Sequence, residues 1–303
     1  MGGARFLRGL SRRTDARRVT VIGNTGDDEE FFGLHVSPDL DTILYTLAGL
    51  ADPLQGWGLA GDTWTVLGAL ARLREVTWFR LGDRDLATHL VRTARLRAGA
   101  PLSRVTTQLA RVLGVRSTLL PMTDHRVRTF IHTDAGRLAF QDYLVRRRAR
   151  GRVRRIELEG AAGARPAPGV LPALRESDVI VIPPSNPLVS IGPILAVRGV
   201  RAALRRRRQH VVAVTPLIAG RPVKGPLHRM LRGLGHEVSP RGVARLYADV
   251  AGTFVLDQRD RRWQAAIEAL GMRVVVTDTL MRSAAHAARL AATTLAAVEP
   301  PAP

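Results

Sequence analysis

A hydrophobic run that stops at a glycine and passes straight into six carboxylates leaves a chain few ways to fold. In VTVIGNTGDDEEFFGLHVSPDLDTILYT, residues 19–46, the segment Arg18 to Gly23 reads as a buried strand, apolar and β-branched residues closed by glycine. Asp27, Asp28, Glu29, Glu30, Asp39 and Asp41 follow within 15 residues, in the loops at that strand's carboxyl end, where α/β sheets bind ligands. Their mutual repulsion calls for a positive partner. A divalent cation carrying a phosphate ester meets that need, because Mg²⁺ takes one or two carboxylates and completes its shell with phosphate oxygens and water. Asp27 and Asp39 are the expected Mg²⁺ ligands; Glu29 and Glu30 read as solvated loop acids.

The acidic block stands out because the chain as a whole carries a formal charge of +20. That charge is biased in origin: all but one of the 46 Lys and Arg are arginine, Lys224 being the exception, and the only asparagines are Asn24 and Asn186. Such drift toward Arg makes Arg146–Arg155, Arg205–Arg208 and Arg259–Arg262 solvated faces rather than a nucleic-acid surface, and with only 5% aromatic residues they lack a base-stacking platform. The same drift marks Asn24, Asn186 and Lys224 as residues that chemistry retains. A length of 303 residues suffices for a large core. The absence of cysteine excludes disulfides, thiol catalysis and Cys-ligated metals. No apolar run is long enough to span a bilayer and the start does not read as a signal peptide, so a cytoplasmic enzyme is expected.

Along the chain, Ala4–Arg13 reads as a short amphipathic helix whose mouth, Gly2-Gly3, suits a phosphate cradle. Helices are expected over Asp41–Leu50, Thr63–Leu73, from Asp83 through Arg97, over Ser103–Leu113, and over Trp263–Leu270 and Thr279–Val298. Strands are expected at Trp78–Leu81, Val179–Ile182, Val211–Val214, Asp249–Gln258 and Arg273–Thr277, and a hairpin about Thr133–Gly136. His89 reads as a packed or solvated residue rather than a catalytic one. Ser185, Asn186 and Ser190 lie where a strand turns into a helix, a place to hold a nucleotide or its phosphates. Lys224, at another helix entrance, is a point charge for a diphosphate.

Taken together, MGGARFLRGL, NTGDDEEFFGLHVSPDLDTILYTLAG, WGLAGDTW, LGDRDLATHLVRT, LRAGAPLS, PPSNPLVSIGPIL and TPLIAGRPVKGP resemble, in order, the 2-phospho-lactate transferase family of coenzyme F420 biosynthesis. The resemblance implies an α/β fold with a Rossmann-like, mostly parallel sheet flanked by helices and a smaller inserted α+β lobe. On this chain the parts are expected at 1–82, 83–168 and 169–303. It implies a homodimer that moves a phospholactyl or phosphoenolpyruvyl group from a guanosine diphosphate-linked donor to the deazaflavin alcohol Fo, releasing GMP. The matched motifs carry over substrate contacts to Gly2, Gly3, Asn24, Thr25, Asp62, Thr63, Trp64, Gly82, Asp83, Arg84, Asp85, Thr88, Ser185, Asn186, Pro187, Ser190, Ile191, Gly192 and Lys224. Mg²⁺ on Asp27 and Asp39 would neutralise the transferred phosphate, and Asp28 or Asp41 would orient the acceptor hydroxyl. Family members open with a hydrophobic strand and a longer glycine run, and this sequence starts at what would be the middle of that run. A polypeptide extended upstream is therefore expected to complete the sheet. Two other readings were open on the residues alone: a nucleic-acid binder built on the arginine clusters, and a different nucleotide-binding Rossmann enzyme, although no GxGxxG follows a strand.

Overall fold

A computed structural model describes residues 2–298. The chain runs α1 (Gly2–Leu10), β1 (Thr20–Gly23), β2 (Glu29–Phe31), β3 (Leu34–Val36), α2 (Pro38–Leu47), α3 (Thr65–Arg72), α4 (Asp83–Arg97), α5 (Leu102–Val112) and β4 (Thr118–Pro121). It continues through β5 (Arg128–Thr133), β6 (Gly136–Ala139), β7 (Val153–Glu159), α6 (Val170–Glu176), β8 (Ile180–Ile182), α7 (Gly192–Ala196), α8 (Val200–Arg206) and β9 (Val211–Val214). The last part comprises β10 (Leu217–Ile218), β11 (Arg221–Pro222), α9 (Leu227–Gly233), α10 (Pro240–Tyr247), β12 (Thr253–Asp257), α11 (Gln264–Glu268), β13 (Arg273–Thr277) and α12 (Ala284–Ala296).

Strand β9 shows why this is a three-layer molecule. All four of its residues are buried. Val211 and Ala213 pack into a core shared with Leu204, Leu231 and Tyr247 of the helices on one face. Val212 and Val214 point the other way, against Phe6 of α1 and Leu290 of α12. A strand covered on both faces reads as a continuous apolar run, as parallel strands between helices do. The four strands β13-β12-β9-β8 form a parallel sheet in that order. The parallel pair β1-β4 is a separate two-stranded unit, backed by α2 and α5 through Leu40, Leu44, Val105 and Leu109. The Rossmann-like parallel architecture is as expected.

Several boundaries differ. Within 83–168, the span expected for the inserted lobe, β6-β5-β7 form an antiparallel sheet while β4 pairs with β1. The hairpin turn at Asp134-Ala135 is as read, with Gly136 at φ 97°. Strand β1 is half-buried rather than buried. Glu29 and Glu30 are in a two-stranded hairpin, and Asp39 and Asp41 occupy the first turn of α2, which starts at Pro38 because proline suits that position. Trp78–Leu81 forms no strand: Trp78 and Phe79 are gathered onto Phe31, with the Phe31 and Phe79 rings stacked at 4.0 Å. Helix α12 starts at Ala284, capped by Ser283, which frees Thr279–Met281 to run as a loop.

Candidate active site

The loops that leave β8, β9 and β13 at their carboxyl ends line one cleft of about 900 Å³, together with the loop after β1 and the start of α2. Beneath the lining, buried Asn24 arranges two carboxylates that do line the cleft, Asp27 and Asp39. Its Oδ1 accepts the Gly26 N–H at 2.8 Å, which fixes the amide orientation. Its Nδ2 then donates to Asp27 Oδ1 at 2.8 Å, to Asp39 Oδ2 at 3.0 Å and to the Val189 carbonyl at 3.2 Å. The turn requires glycine at position 26, where a Cβ would sit 2.9 Å from both Thr129 Oγ1 and Pro193 Cβ. Gln141 Nε2 reaches the other Asp27 oxygen at 3.3 Å. Burial first, then the charges of Asp39 and Asp28, hold the Asp27 carboxyl well above the ordinary range of an aspartate.

The other two acids are engaged elsewhere. Asp28 does not line the cleft: Ser37 Oγ donates to its Oδ2 at 2.8 Å, His35 Nε2 stands 3.0 Å from the same oxygen, and Oδ1 is buried without a partner. Asp41 lines the cleft, but Arg92, 2% exposed, spans both its oxygens, bonding Oδ2 from Nη1 at 3.1 Å and Oδ1 from Nη2. A buried pair of this kind is costly to break from one side. Behind it, Tyr45 Oη donates to Asp85 Oδ1 at 2.6 Å and His89 Nε2 lies 3.3 Å from that oxygen. Burial tends to raise the Asp85 carboxyl, yet the bonds from His89 and Tyr45 outweigh it and leave it lowered.

The structure sorts the remaining expected residues into three groups. Gly2, Ser185, Asn186, Ser190, Lys224 and Asp85 line the cleft. Gly2 is pressed so closely on Pro184 that a Cβ would fall 2.0 Å from its carbonyl oxygen. Asn186 shapes its own loop, accepting from Leu188 N at 2.9 Å while its carbonyl takes the N–H groups of Ser190 and Ile191. Gly3, Thr25, Pro187, Ile191 and Gly192 lie behind the lining, Gly3 against Ser185 and Ile191 in the core.

Asp62, Thr63, Trp64, Gly82, Asp83, Arg84 and Thr88 are outside the lining, and most of them form a clasp between helices. Asp83 accepts from Thr63 Oγ1, Thr65 N and Val66 N at the head of α3. Asp62 accepts from Arg84 N and Asp85 N at the head of α4, each satisfying N–H groups that a helix start leaves open. Trp64 carries the Arg80 guanidinium at 4.3 Å. The Thr63 hydroxyl, then the Val66 N–H, lower the Asp83 carboxyl to about 2. A lowered acid stabilises the fold above its unfolded value near 3.8 and loses that as pH falls toward about 2. Asp83→Asn should therefore lower the thermal midpoint at neutral pH and flatten its fall between pH 4 and 2, as scanning calorimetry across that range would show.

Sequence reading missed part of the lining: Arg5 of α1, the aromatic residues Trp57, Trp78 and Phe79, Phe140 and Gln141 of the inserted lobe, and Thr279–Met281. With only four tryptophans in the chain, the rarity argument applied to asparagine would have singled out Trp57 and Trp78. Nothing local marks Gln141.

Comparison with known proteins shows which family the chain falls in. The profile of the family described as "2-phospho-L-lactate transferase CofD" matches residues 1–294. A "Phosphoenolpyruvate transferase" of Kitasatospora aureofaciens is 44% identical over 309 aligned positions, covering 99% of this chain and 95% of the relative. A "2-phospho-L-lactate transferase" of Methanosarcina mazei is 38% identical, covering 96% and 95%. A crystal structure of a Bacillus halodurans protein of the UPF0052 family superposes with a TM-score of 0.65 at 17% identity over 97% of this chain and 96% of that one, a likeness of fold. With a match over nearly its whole length and relatives this similar, the chain belongs to the 2-phospho-L-lactate transferase family.

Proposed function

We propose that this protein transfers a phospholactyl or phosphoenolpyruvyl group from a guanosine diphosphate-linked donor to Fo in coenzyme F420 biosynthesis, with release of GMP. The observation that carries the reading is that the Asp27/Asp39 pair lines one cleft together with two chemically unlike sets of side chains. One set, from Ser185 and Ser190 through Thr215–Leu227 and Thr279–Met281, contains no carboxylate and presents Lys224, with Arg5 nearby, a surface for an anionic nucleotide. The other, built from α2, α4 and residues 57–81, offers Trp57, Trp78 and Phe79 to a flat ring and Asp85 to hydroxyl groups. The names of the relatives point to the same pair of transferable groups.

The residues fit Mg²⁺. One amide holds two carboxylates side by side, and burial first, then the charges of Asp39 and Asp28, push the Asp27 carboxyl up, a repulsion that a bound cation would relieve. Among the described residues no three His, Cys, Asp or Glu side chains meet in a closed cage. That suits an ion which keeps water and takes substrate oxygens, and does not suit tetrahedral zinc. Bound on Asp27 and Asp39, Mg²⁺ would neutralise charge on the transferring phosphoryl group. The chain itself holds the nucleotide along Ser185–Ser190 and Lys224, and stacks the acceptor ring on the aromatic wall. A terminal hydroxyl oxygen then bonds to the phosphorus that bears the three-carbon acid, the bond to the GMP phosphate breaks, and the hydroxyl proton leaves through carboxylates of the cleft. Asp28 and Asp41, held by Ser37 and Arg92, set the shape of that region.

Incubation with Fo, donor and Mg²⁺, read by mass spectrometry, should show Fo gaining the phosphorylated acid as GMP appears. The two donor forms are distinguished by the two hydrogens between them. No mass gain would overturn the reading. Asn186→Ala should raise the donor KM several-fold with the Fo KM unchanged, since the loop it shapes lies on the donor wall; unchanged donor kinetics would count against that placement. We further propose a cytoplasmic homodimer. Its support is the apolar surface left uncovered at Leu54, Leu73 and Val76, beside α3, which has no buried residue. Among the described residues no helix is long and apolar enough to cross a membrane. Light scattering tests the dimer.

A further inference from the structure

Two loops, residues 215–226 and 278–281, contribute the Lys224 side of the cleft lining, and neither has much structure of its own. The first contains β10-β11, a hairpin of two residue pairs turning through Ala219 at φ 50° and Gly220 at φ 69°. A hairpin so short is marginal unless something holds it. The second is a stretch without regular structure between β13 and α12.

Both are gripped by one element that lies outside the cleft lining, the 3₁₀ turn Gln258–Trp263 that follows β12. Asp257, at the head of the turn and fully buried, accepts Thr279 N and Thr279 Oγ1 on its Oδ2, each at 2.9 Å. Its Oδ1 accepts the Arg259 N–H at 3.0 Å, and Arg259 reaches on to Asp278 at 3.7 Å. Three residues later Asp260, also fully buried, accepts the Gly220 N–H on Oδ2 at 3.4 Å, with the Ala219 N–H directed at it as well, while its Oδ1 has no partner. A buried carboxyl with one oxygen unsatisfied is costly. Packing alone would favour an apolar residue at that position. What the acid provides is an acceptor for the tip of a hairpin bent through a left-handed alanine.

We propose that Asp257 and Asp260 are positioning residues for the nucleotide end of the donor. Through them a single turn sets the hairpin that leads to Lys224, and the Thr279–Met281 loop, at a fixed separation. This rests on the assignment of that side to the donor. It also gives part of the Arg259–Arg262 cluster a role in folding the site.

The test uses the full chain, with GDP as the nucleotide probe and Fo as the acceptor probe, each titrated alone. Asp260→Ala should weaken GDP about tenfold, the equivalent of about 1.4 kcal/mol and the scale of one or two backbone hydrogen bonds, and leave Fo binding unchanged. Asp260→Asn, which keeps an oxygen for the Gly220 N–H, should recover most of the loss. Asp257→Asn should weaken GDP as well, with cleavage by a nonspecific protease rising at 217–226 and 278–281. Equal losses for GDP and Fo, accompanied by a lower thermal midpoint and no rescue by asparagine, would reduce both residues to general stability and overturn the proposal. Unchanged GDP binding in Asp260→Ala, with wild type binding GDP normally, would overturn the brace and leave the proposed function standing. A wild-type protein that binds Fo and not GDP would overturn the donor assignment and the brace together.

Discussion

Asp27→Asn and Asp39→Asn are each expected to remove most turnover while the fold stays intact. The two carboxylates are the charges that would hold the transferring phosphate through Mg²⁺, and losing that contact costs several kcal/mol of transition-state stabilisation. At about 1.4 kcal/mol per factor of ten, kcat should fall by roughly two to three orders of magnitude. Stability should move the other way for Asp27. Its carboxyl is raised in the folded state, chiefly by burial and then by Asp39 and Asp28. A raised acid stabilises the fold fully below its unfolded value near 3.8 and loses that contribution as pH rises through the folded value. At neutral pH the ionised group is therefore a strain that an amide relieves, against the loss of one acceptor for Gln141 at 3.3 Å, a bond worth about 1 kcal/mol. The thermal midpoint of Asp27→Asn should equal or exceed that of wild type at pH 7. Adding Mg²⁺ should raise the wild-type midpoint, more at pH 7 than at pH 4, and leave both variants unmoved. Near-normal rates in both variants, with a wild-type midpoint indifferent to Mg²⁺, would make these residues ordinary loop acids.

Local pattern carried the parts of this site that local chemistry builds. Asn24, Asp27 and Asp39 were legible because a strand, an Asx turn and a helix start follow one another within 16 residues, so sequence proximity is spatial proximity. The parallel strands β9 and β13 were legible for the same reason, being continuous apolar runs bounded by polar turns. What stayed hidden depends on contacts distant in the chain. Asp41 looks identical to Asp39 until Arg92, 51 residues on, occupies both of its oxygens. Asp62 and Asp83 look like site residues because they sit in matched motifs, Asp83 in the same one as Asp85, yet their carboxylates cap each other's neighbouring helices. Trp78 and Phe79 have strand-like composition, but with no ladder partner they pack on Phe31 and turn toward the cleft. Brace residues such as Asp257 and Asp260 emit no local signal at all, since the loops they hold are 22 and 40 residues away.

A polypeptide carrying an apolar strand ahead of Gly2 is expected to be more stable and to bind GDP more tightly than the 303-residue chain, and the reason lies between the two parallel units. Strand β8 ends one sheet and β1 ends the other, and neither edge pairs further among the described residues. Both edges are apolar and only half-buried: Val21 and Ile22 on β1, Ile180 and Val181 on β8. Ile22 and Ile180 nevertheless border the same core cluster. The edges are tied at both ends by side chains rather than by ladder bonds, Arg18 to Asp178 at 3.7 Å before the strands and Asn24 to the Val189 carbonyl at 3.2 Å beyond them. A strand laid between them would bond on both sides and run into α1 at Gly2, which already abuts Pro184 at the mouth of the cleft. Each buried Val or Ile it brings contributes about 1.5–3 kcal/mol against about 1–2 kcal/mol per residue for ordering the backbone. A net gain of a few kcal/mol, at about 2–4 °C per kcal/mol for a protein of this size, should raise the thermal midpoint by roughly 5 °C or more. GDP should add a larger further shift to the extended form, because α1 would then be anchored where its first turn meets the donor wall. Amide exchange at Val21, Ile22, Ile180 and Val181 should slow in the extended protein. Equal midpoints, equal GDP shifts and unchanged exchange in the two forms would show that the half-buried edges need no strand between them and that Gly2 and Gly3 form no phosphate cradle.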